Sequence, residues 1–204
     1  QKAKDKLTQI GHELGFDQFA LSEDKDVRLT LQKNGEPLTL TETPEVFRME
    51  NSSVCYEFGK KQGSFLKLEK NGKACITAPV EWNVYRAPTD NDRNIVLSWK
   101  EAGYDRSVVK VYGCEARVKQ GTVAITCDFS MAAVYIQPFL RLHAVWSING
   151  EGEIKVAVDG KRDTSFPFLP RFGLKFHLPQ EEQEVTYLGY GPHESYCDKH
   201  QASY

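Results

Sequence analysis

No apolar run in this sequence approaches the roughly 18 residues that a membrane-spanning helix needs. An excess of one charge is lacking too. The 26 Lys and Arg stand against 28 Asp and Glu, interspersed, for a net charge of −2. That balance gives neither the basic stripe of a nucleic-acid binder nor a membrane-facing patch. Nucleophile-elbow, phosphate-loop and dinucleotide signatures are missing: there is no Gly-x-Ser-x-Gly, no Gly-x-x-x-x-Gly-Lys-Ser/Thr and no Gly-x-Gly-x-x-Gly. Cys-x-x-Cys is absent as well, which argues against a structural zinc site. The five cysteines, Cys55, Cys75, Cys114, Cys127 and Cys197, are odd in number and irregularly spaced. That pattern argues against a disulfide framework, and Cys127 reads as a buried thiol in the apolar phase of a strand. Thiol usage of this kind favours a reducing compartment, the cytoplasm, with the periplasm as the alternative. The opening Gln1-Lys2-Ala3-Lys4-Asp5 has neither an initiator Met nor a signal-peptide pattern and reads as the cut edge of a longer polypeptide.

What is present is ordinary for a globular chain, 40% hydrophobic and 26% charged over 204 residues. Its periodicity is mostly two, the period of a strand. Val27, Leu29 and Leu31 alternate with polar residues, Asn34-Gly35 turns the chain, and Leu38 and Leu40 resume the alternation. Asn-Gly between alternating runs is a strong hairpin signal. Val54, Tyr56 and Phe58 form a second strand, and a Gly-containing turn returns the chain through Phe65, Leu66 and Leu68 to Asn71-Gly72. Val123, Ile125, Cys127 and Phe129 predict another strand. Leu140, Leu142, Ala144, Trp146 and Ile148 predict the next, and Asn149-Gly150 leads into Ile154, Val156 and Val158. Short strands at such intervals point to an all-β sandwich. One short helix is expected around Ile95, Leu97, Trp99 and Ala102, with Asp92 or Asn94 at its start and Gly103 at its end.

The segment that demands a chemical explanation is Trp82-Asn83-Val84-Tyr85-Arg86-Ala87-Pro88-Thr89-Asp90-Asn91-Asp92. Its carboxylates cannot be buried unpaired, so they face water, cap a turn, bind Arg86 or meet a polar ligand. Two readings follow, and they are compatible. In one, Arg86 pairs bidentately with an aspartate and pins a corner, helped by Pro88. In the other, carboxylates and amides line the rim of a sugar site. Helix amides following the segment would stabilise the acids. Trp82, Tyr85, Trp99 and Tyr104 flank the segment, with core packing as the default reading. Phe166, Phe168 and Phe172, interleaved with Pro167 and Pro170, are expected to pack. His193-Glu194 follows Gly191-Pro192; adjacent side chains on an extended chain point apart, so a structural pair is expected over an acid-base dyad. The remaining histidines, His12, His143, His177 and His200, show no ligand spacing, and no metal site is expected.

Arg86-Ala87-Pro88-Thr89-Asp90-Asn91-Asp92 resembles the signature that opens the C-terminal β-domain of the large β-galactosidases of glycoside hydrolase family 2. Leu169-Pro170-Arg171-Phe172-Gly173-Leu174-Lys175-Phe176 and Tyr187-Leu188-Gly189-Tyr190-Gly191-Pro192-His193-Glu194-Ser195-Tyr196-Cys197-Asp198-Lys199 fit the same domain in the same order. The resemblance runs from about Glu45 to Tyr204. It implies a large antiparallel β-sandwich, a supersandwich of the galactose-mutarotase type, over residues 41–204. Residues 1–40 then hold the end of a preceding immunoglobulin-like domain and a linker, since the stretch from Gly11 to Leu21 resembles that domain's last strand.

Such enzymes hydrolyse terminal β-D-galactosides with retention through two glutamates on a TIM barrel, a fold of roughly 250 residues that is not encoded here. The resemblance therefore implies a non-catalytic fragment, inactive alone, that shapes the active-site entrance and supports assembly. Its implied partners are the barrel and immunoglobulin-like domains of the same chain, a galactoside substrate and further copies in a homo-oligomer. The fragment itself implies no cofactor, whereas the parent family uses Mg and Na bound by other domains. Candidate site-lining residues are Arg86, Asp90, Asn91 and Asp92, with His193 and Glu194 behind them. Trp99-Lys100-Glu101-Ala102-Gly103 matches a family pattern but follows Asp92 after only six residues, leaving little chain for a lid. The family domain continues past the Gly-Pro-His-Glu motif, so a truncated sheet is expected to leave an open edge. Two other readings compete: a stand-alone carbohydrate-binding module, and a mutarotase-like epimerase using His143, His177 or His193 with an acidic partner.

Overall fold

A computed structural model describes residues 9–12, 19, 31, 34–181 and 184–187. The chain divides into two units, residues 1–29 with 183–204, and residues 30–182. Of the first unit the described part is small. His12 N–H donates to the Gln9 carbonyl at 3.1 Å, closing a turn at Gly11. His193, Glu194 and the strand expected through Val27 and Leu29 lie outside the described residues.

Among the described residues of the second unit the hydrophobic alternation builds eleven strands. β1 (Thr39–Glu42), β2 (Val46–Glu50), β3 (Val54–Gly59), β4 (Ser64–Lys70) and β5 (Lys73–Ala74) form a five-stranded antiparallel meander in sequence order. β6 (Ala78–Asn83) pairs with β11 (Gly173–His177), so that Trp82 stands opposite Leu174. β7 (Val108–Lys119), β8 (Thr122–Ala132), β9 (Leu140–Ile148) and β10 (Ile154–Arg162) form a four-stranded sheet in the order β10-β9-β8-β7. This sheet has β7 at one edge, exposing Val108, Tyr112 and Val118 along it. Asn71 and Gly72 both adopt positive φ, 52° and 74°, which is what a two-residue hairpin connection requires.

The sheets bury their apolar phases against one another. Phe58 and Phe65 of the meander meet Trp146 of β9 edge-on, at centroid distances of 5.8 and 5.3 Å. Trp82 bridges to Phe129 at 4.9 Å. The result is the expected antiparallel β-sandwich, its core filled by interlocked rings worth about 0.5–1.5 kcal/mol per pair beyond their buried area.

Three local expectations need correction. Cys127 is buried, but it is not a thiol. It is bonded to Cys114, directly opposite on β7 with a Cα–Cα distance of 4.3 Å. An odd cysteine count says nothing about one cross-strand pair, because facing positions are set by register. Cys55 and Cys75 are free thiols. The helix α1 runs Val96–Glu101, with Ile95 rather than Asp92 or Asn94 at its N-cap and no side-chain cap. Gly103 does end it, at φ 74°. Its inward positions are Trp99 and Ala102, while Leu97 points to solvent.

Candidate functional site

β6 delivers the chain to the lip segment. Val80, Trp82 and Val84 are buried in alternation, and the Tyr85 amide donates to Asn83 Oδ1 at 3.0 Å. Arg86 then turns inward. Its Nη1 donates to Asp92 Oδ2 at 2.5 Å and its Nη2 to Asp92 Oδ1 at 3.0 Å, a bidentate pair. The guanidinium carbon lies 5.5 Å from the Trp99 ring centre, and Nε donates to the Pro170 carbonyl at 3.3 Å. Asp92 also accepts the Thr89 amide at 2.7 Å and the Thr89 hydroxyl at 3.0 Å. In return the Asp92 amide donates to the Thr89 carbonyl at 3.0 Å. A one-turn 3-10 helix, Asp90–Asp92, is thereby closed on itself.

The electrostatics follow from this geometry. The Arg86 hydrogen bond, followed by the Thr89 amide, holds the Asp92 carboxyl down at about 2. Asp92 is therefore ionised at neutral pH and fully engaged. The expectation that α1 amides would stabilise these acids is corrected, because the donors on Asp92 come from Arg86 and Thr89. Asp90 and Asn91 sit on the outer side of the turn with both side chains exposed. The four candidates thus separate: Arg86 and Asp92 build the corner, while Asp90 and Asn91 are presented to solvent by it.

A second segment completes the site, and the sequence reading missed its role. Residues 166–170 offer their carbonyls to side chains from elsewhere. Pro167 accepts the Tyr104 hydroxyl at 2.6 Å, Phe168 accepts Trp99 Nε1–H at 3.0 Å, and Pro170 accepts Arg86. Phe166 accepts Arg162 Nη1–H at 2.6 Å. The available signal was Pro167 and Pro170 themselves: proline has no N–H to give a ladder, so such a segment leaves carbonyls free for side-chain donors. Trp82, Trp99 and Tyr104 are buried as expected. Phe166, Phe168 and Phe172 each touch a core ring (Phe139, Trp99 and Trp82 respectively), although Phe168 and Phe172 stay about half exposed.

Of the histidines considered for epimerase chemistry, His143 and His177 lie on β9 and β11, and His193 is outside the described residues. His143 Nδ1 meets Asp128 Oδ1 at 2.8 Å across β9 and β8. His177 Nε2 meets Glu81 Oε1 at 2.9 Å across β11 and β6. Each therefore has an acidic partner. No group of three or more His, Cys, Asp or Glu among the described residues is placed to hold a metal ion.

Fold and site together define an antiparallel β-sandwich domain with a rigid, ion-paired corner presenting a polar turn. Residues 50–204 match the family model described as Beta galactosidase small chain, and the chain belongs to that family. Similar proteins include a Beta-galactosidase of Actinobacillus pleuropneumoniae, 37% identical over 199 residues, which are 95% of this chain and 19% of that protein. A Beta-galactosidase of Staphylococcus xylosus is 31% identical over 193 residues, 94% of this chain and 19% of that protein. One from Klebsiella pneumoniae (strain 342) is 26% identical over 206 residues, 94% of this chain and 19% of that protein. The chain thus spans about a fifth of the length of the relatives it matches.

Proposed function

We propose that this chain is a non-catalytic part of a β-galactosidase that hydrolyses terminal β-D-galactosides with retention, its two glutamates lying outside this segment. Its task is to present the Asp90-Asn91 turn at the entrance of the sugar site and to support assembly with the barrel, the immunoglobulin-like domain and further copies. Any Mg or Na would be held by those other domains, and the compartment proposed is the cytoplasm, with the periplasm as the alternative that the Cys114–Cys127 bond favours. The observation that carries the reading is the corner itself: a family signature whose Arg86 and Asp92 are spent on each other so that Asp90 and Asn91 project from a fixed base.

Steady-state kinetics of the full polypeptide test it. Asp90→Ala and Asn91→Ala should raise KM for a galactoside with little change in kcat, because they remove rim contacts. Asp92→Asn should disturb both constants, because the base of the turn is lost. Unchanged KM in Asp90→Ala and Asn91→Ala, with normal folding, would reject the role at the entrance. A stand-alone carbohydrate-binding module is the second reading, favoured by the half-exposed Phe168 ring packed on Trp99 beside this corner. It predicts heat on titrating the isolated chain with lactose.

A further inference from the structure

The outward face of the four-stranded sheet carries an unbalanced row of charge. Pairing register aligns Lys110, Ser130, Arg141 and Lys161 side by side across β7, β8, β9 and β10. No acid stands in that row. Arg141 and Lys161 are directly opposite each other, an arrangement that costs stability because like charges repel. Among the described residues Lys110, Arg141 and Lys161 make no ion pair. Of the nearby acids, Asp128 meets His143 at 2.8 Å, Asp163 accepts the Ser165 amide and hydroxyl at 2.9 and 2.7 Å, and Asp159 stands opposite His143 in the register. Tyr112, at the bulge in β7, shares a hydrogen bond of 2.9 Å with the buried Ser130 Oγ, the second position of the row. Its phenol is pulled below the usual value by that bond, with Lys110 and Arg141 adding to the effect. Two hollows of about 400 and 410 Å³ flank the pair, both lined by Arg141 and Lys161; the first adds Arg162 and one acid, Asp163, whereas the second adds Asp128 and Asp159.

We infer that this row is a binding site for a tetrahedral oxyanion, the phosphate or sulfate monoester of a small molecule. The anion sits on Arg141 and Lys161 with the exposed Tyr112 hydroxyl as a further donor, and the rest of the ligand lies in the hollow that Arg162 also lines. The repulsion between the two cations is what the anion relieves, and the fork of Arg141 suits two oxygens of one group. The site is independent of the lip and of the catalytic assignment.

Calorimetric titration of the full polypeptide at low ionic strength tests it, with inorganic phosphate, galactose 6-phosphate and galactose as probes. Both phosphates should bind saturably and galactose should not. Tighter binding of galactose 6-phosphate would place the sugar in a hollow, and equal binding would mark the free anion as the ligand; either supports the site. Arg141→Gln and Lys161→Gln should each weaken phosphate binding about fivefold. Lys119→Gln, at the far end of β7, should leave it unchanged. Circular dichroism confirms that each variant folds, and the two single variants serve as independent checks. Absence of saturable phosphate binding, or an equal loss in Lys119→Gln, overturns the inference.

Discussion

Two tryptophans, equally buried and differing in one hydrogen bond, give the sharpest test of the packing argument. Trp99 and Trp146 expose 0% and 2% of their surface. Trp99 donates its Nε1–H to the Phe168 carbonyl at 3.0 Å. Trp146 Nε1 is buried with no protein partner among the described residues. Substitution by Phe removes the same atoms from both positions. The lost contacts and residual cavity cost about 1–2 kcal/mol in either case. At Trp99 the substitution also strips the Phe168 carbonyl of its donor, adding about 1–3 kcal/mol. At Trp146 it deletes an unmet donor, a favourable change that offsets part of the cavity. Trp99→Phe should therefore destabilise by about 2–5 kcal/mol, and Trp146→Phe by roughly 1–3 kcal/mol less than that. Urea unfolding followed by far-UV circular dichroism, with the slope m unchanged, measures the difference. Equal losses, or a larger loss at Trp146, would refute the hydrogen-bond reasoning.

The other outcomes are as definite. The Asp92 carboxyl is depressed when folded, so the stability it contributes is present above its unfolded value near 4 and lost as pH falls toward about 2; acid titrations of wild type and Asp92→Asn should differ above that window and converge below it. Burial pushes the Tyr56 phenol up to about 12, its hydroxyl donating to the Gly152 carbonyl at 2.9 Å. Stability from this group is complete below pH 10 and lost between about 10 and 12, so phenolate absorbance at Tyr56 should appear near pH 12 rather than 10 while the chain stays folded, and Tyr56→Phe should abolish that alkaline loss. Breaking the Cys114–Cys127 bond by Cys114→Ser should cost up to about 3 kcal/mol by the loop-entropy argument, read as a lower urea midpoint in the absence of reductant. Gly103→Ala should cost more than about 1 kcal/mol, because φ is positive there and the added methyl would meet Ala133.

The strands that were legible in the sequence are those with one wet face. β3, β4, β8, β9 and β10 alternate because a pleated strand points successive side chains to opposite sides, and Asn71-Gly72 and Asn149-Gly150 mark their turns. Helix α1 was legible through Trp99 and Gly103, but its cap was not: Asp92 had several possible donors within a few residues, and only folding selects among them. The site was half legible. Composition near Arg86 offered an ion pair as one of two compatible readings, and nothing local decided which aspartate would take it.

What the sequence alone determined is therefore the local part: strand period, turns and the family signature. The three-dimensional arrangement decided everything that depends on register and long-range closure. It brought the carbonyls of Pro167, Phe168 and Pro170 onto Tyr104, Trp99 and Arg86, from more than sixty residues away. It set Cys114 against Cys127, and it aligned Lys110, Arg141 and Lys161 in a chain whose overall charge is nearly balanced. A one-residue slip in any of these ladders would send every side chain to the opposite face, and no local preference fixes that choice. The buried rings favour the observed register, which brings Phe58, Phe65 and Trp82 onto Trp146 and Phe129 onto Trp82.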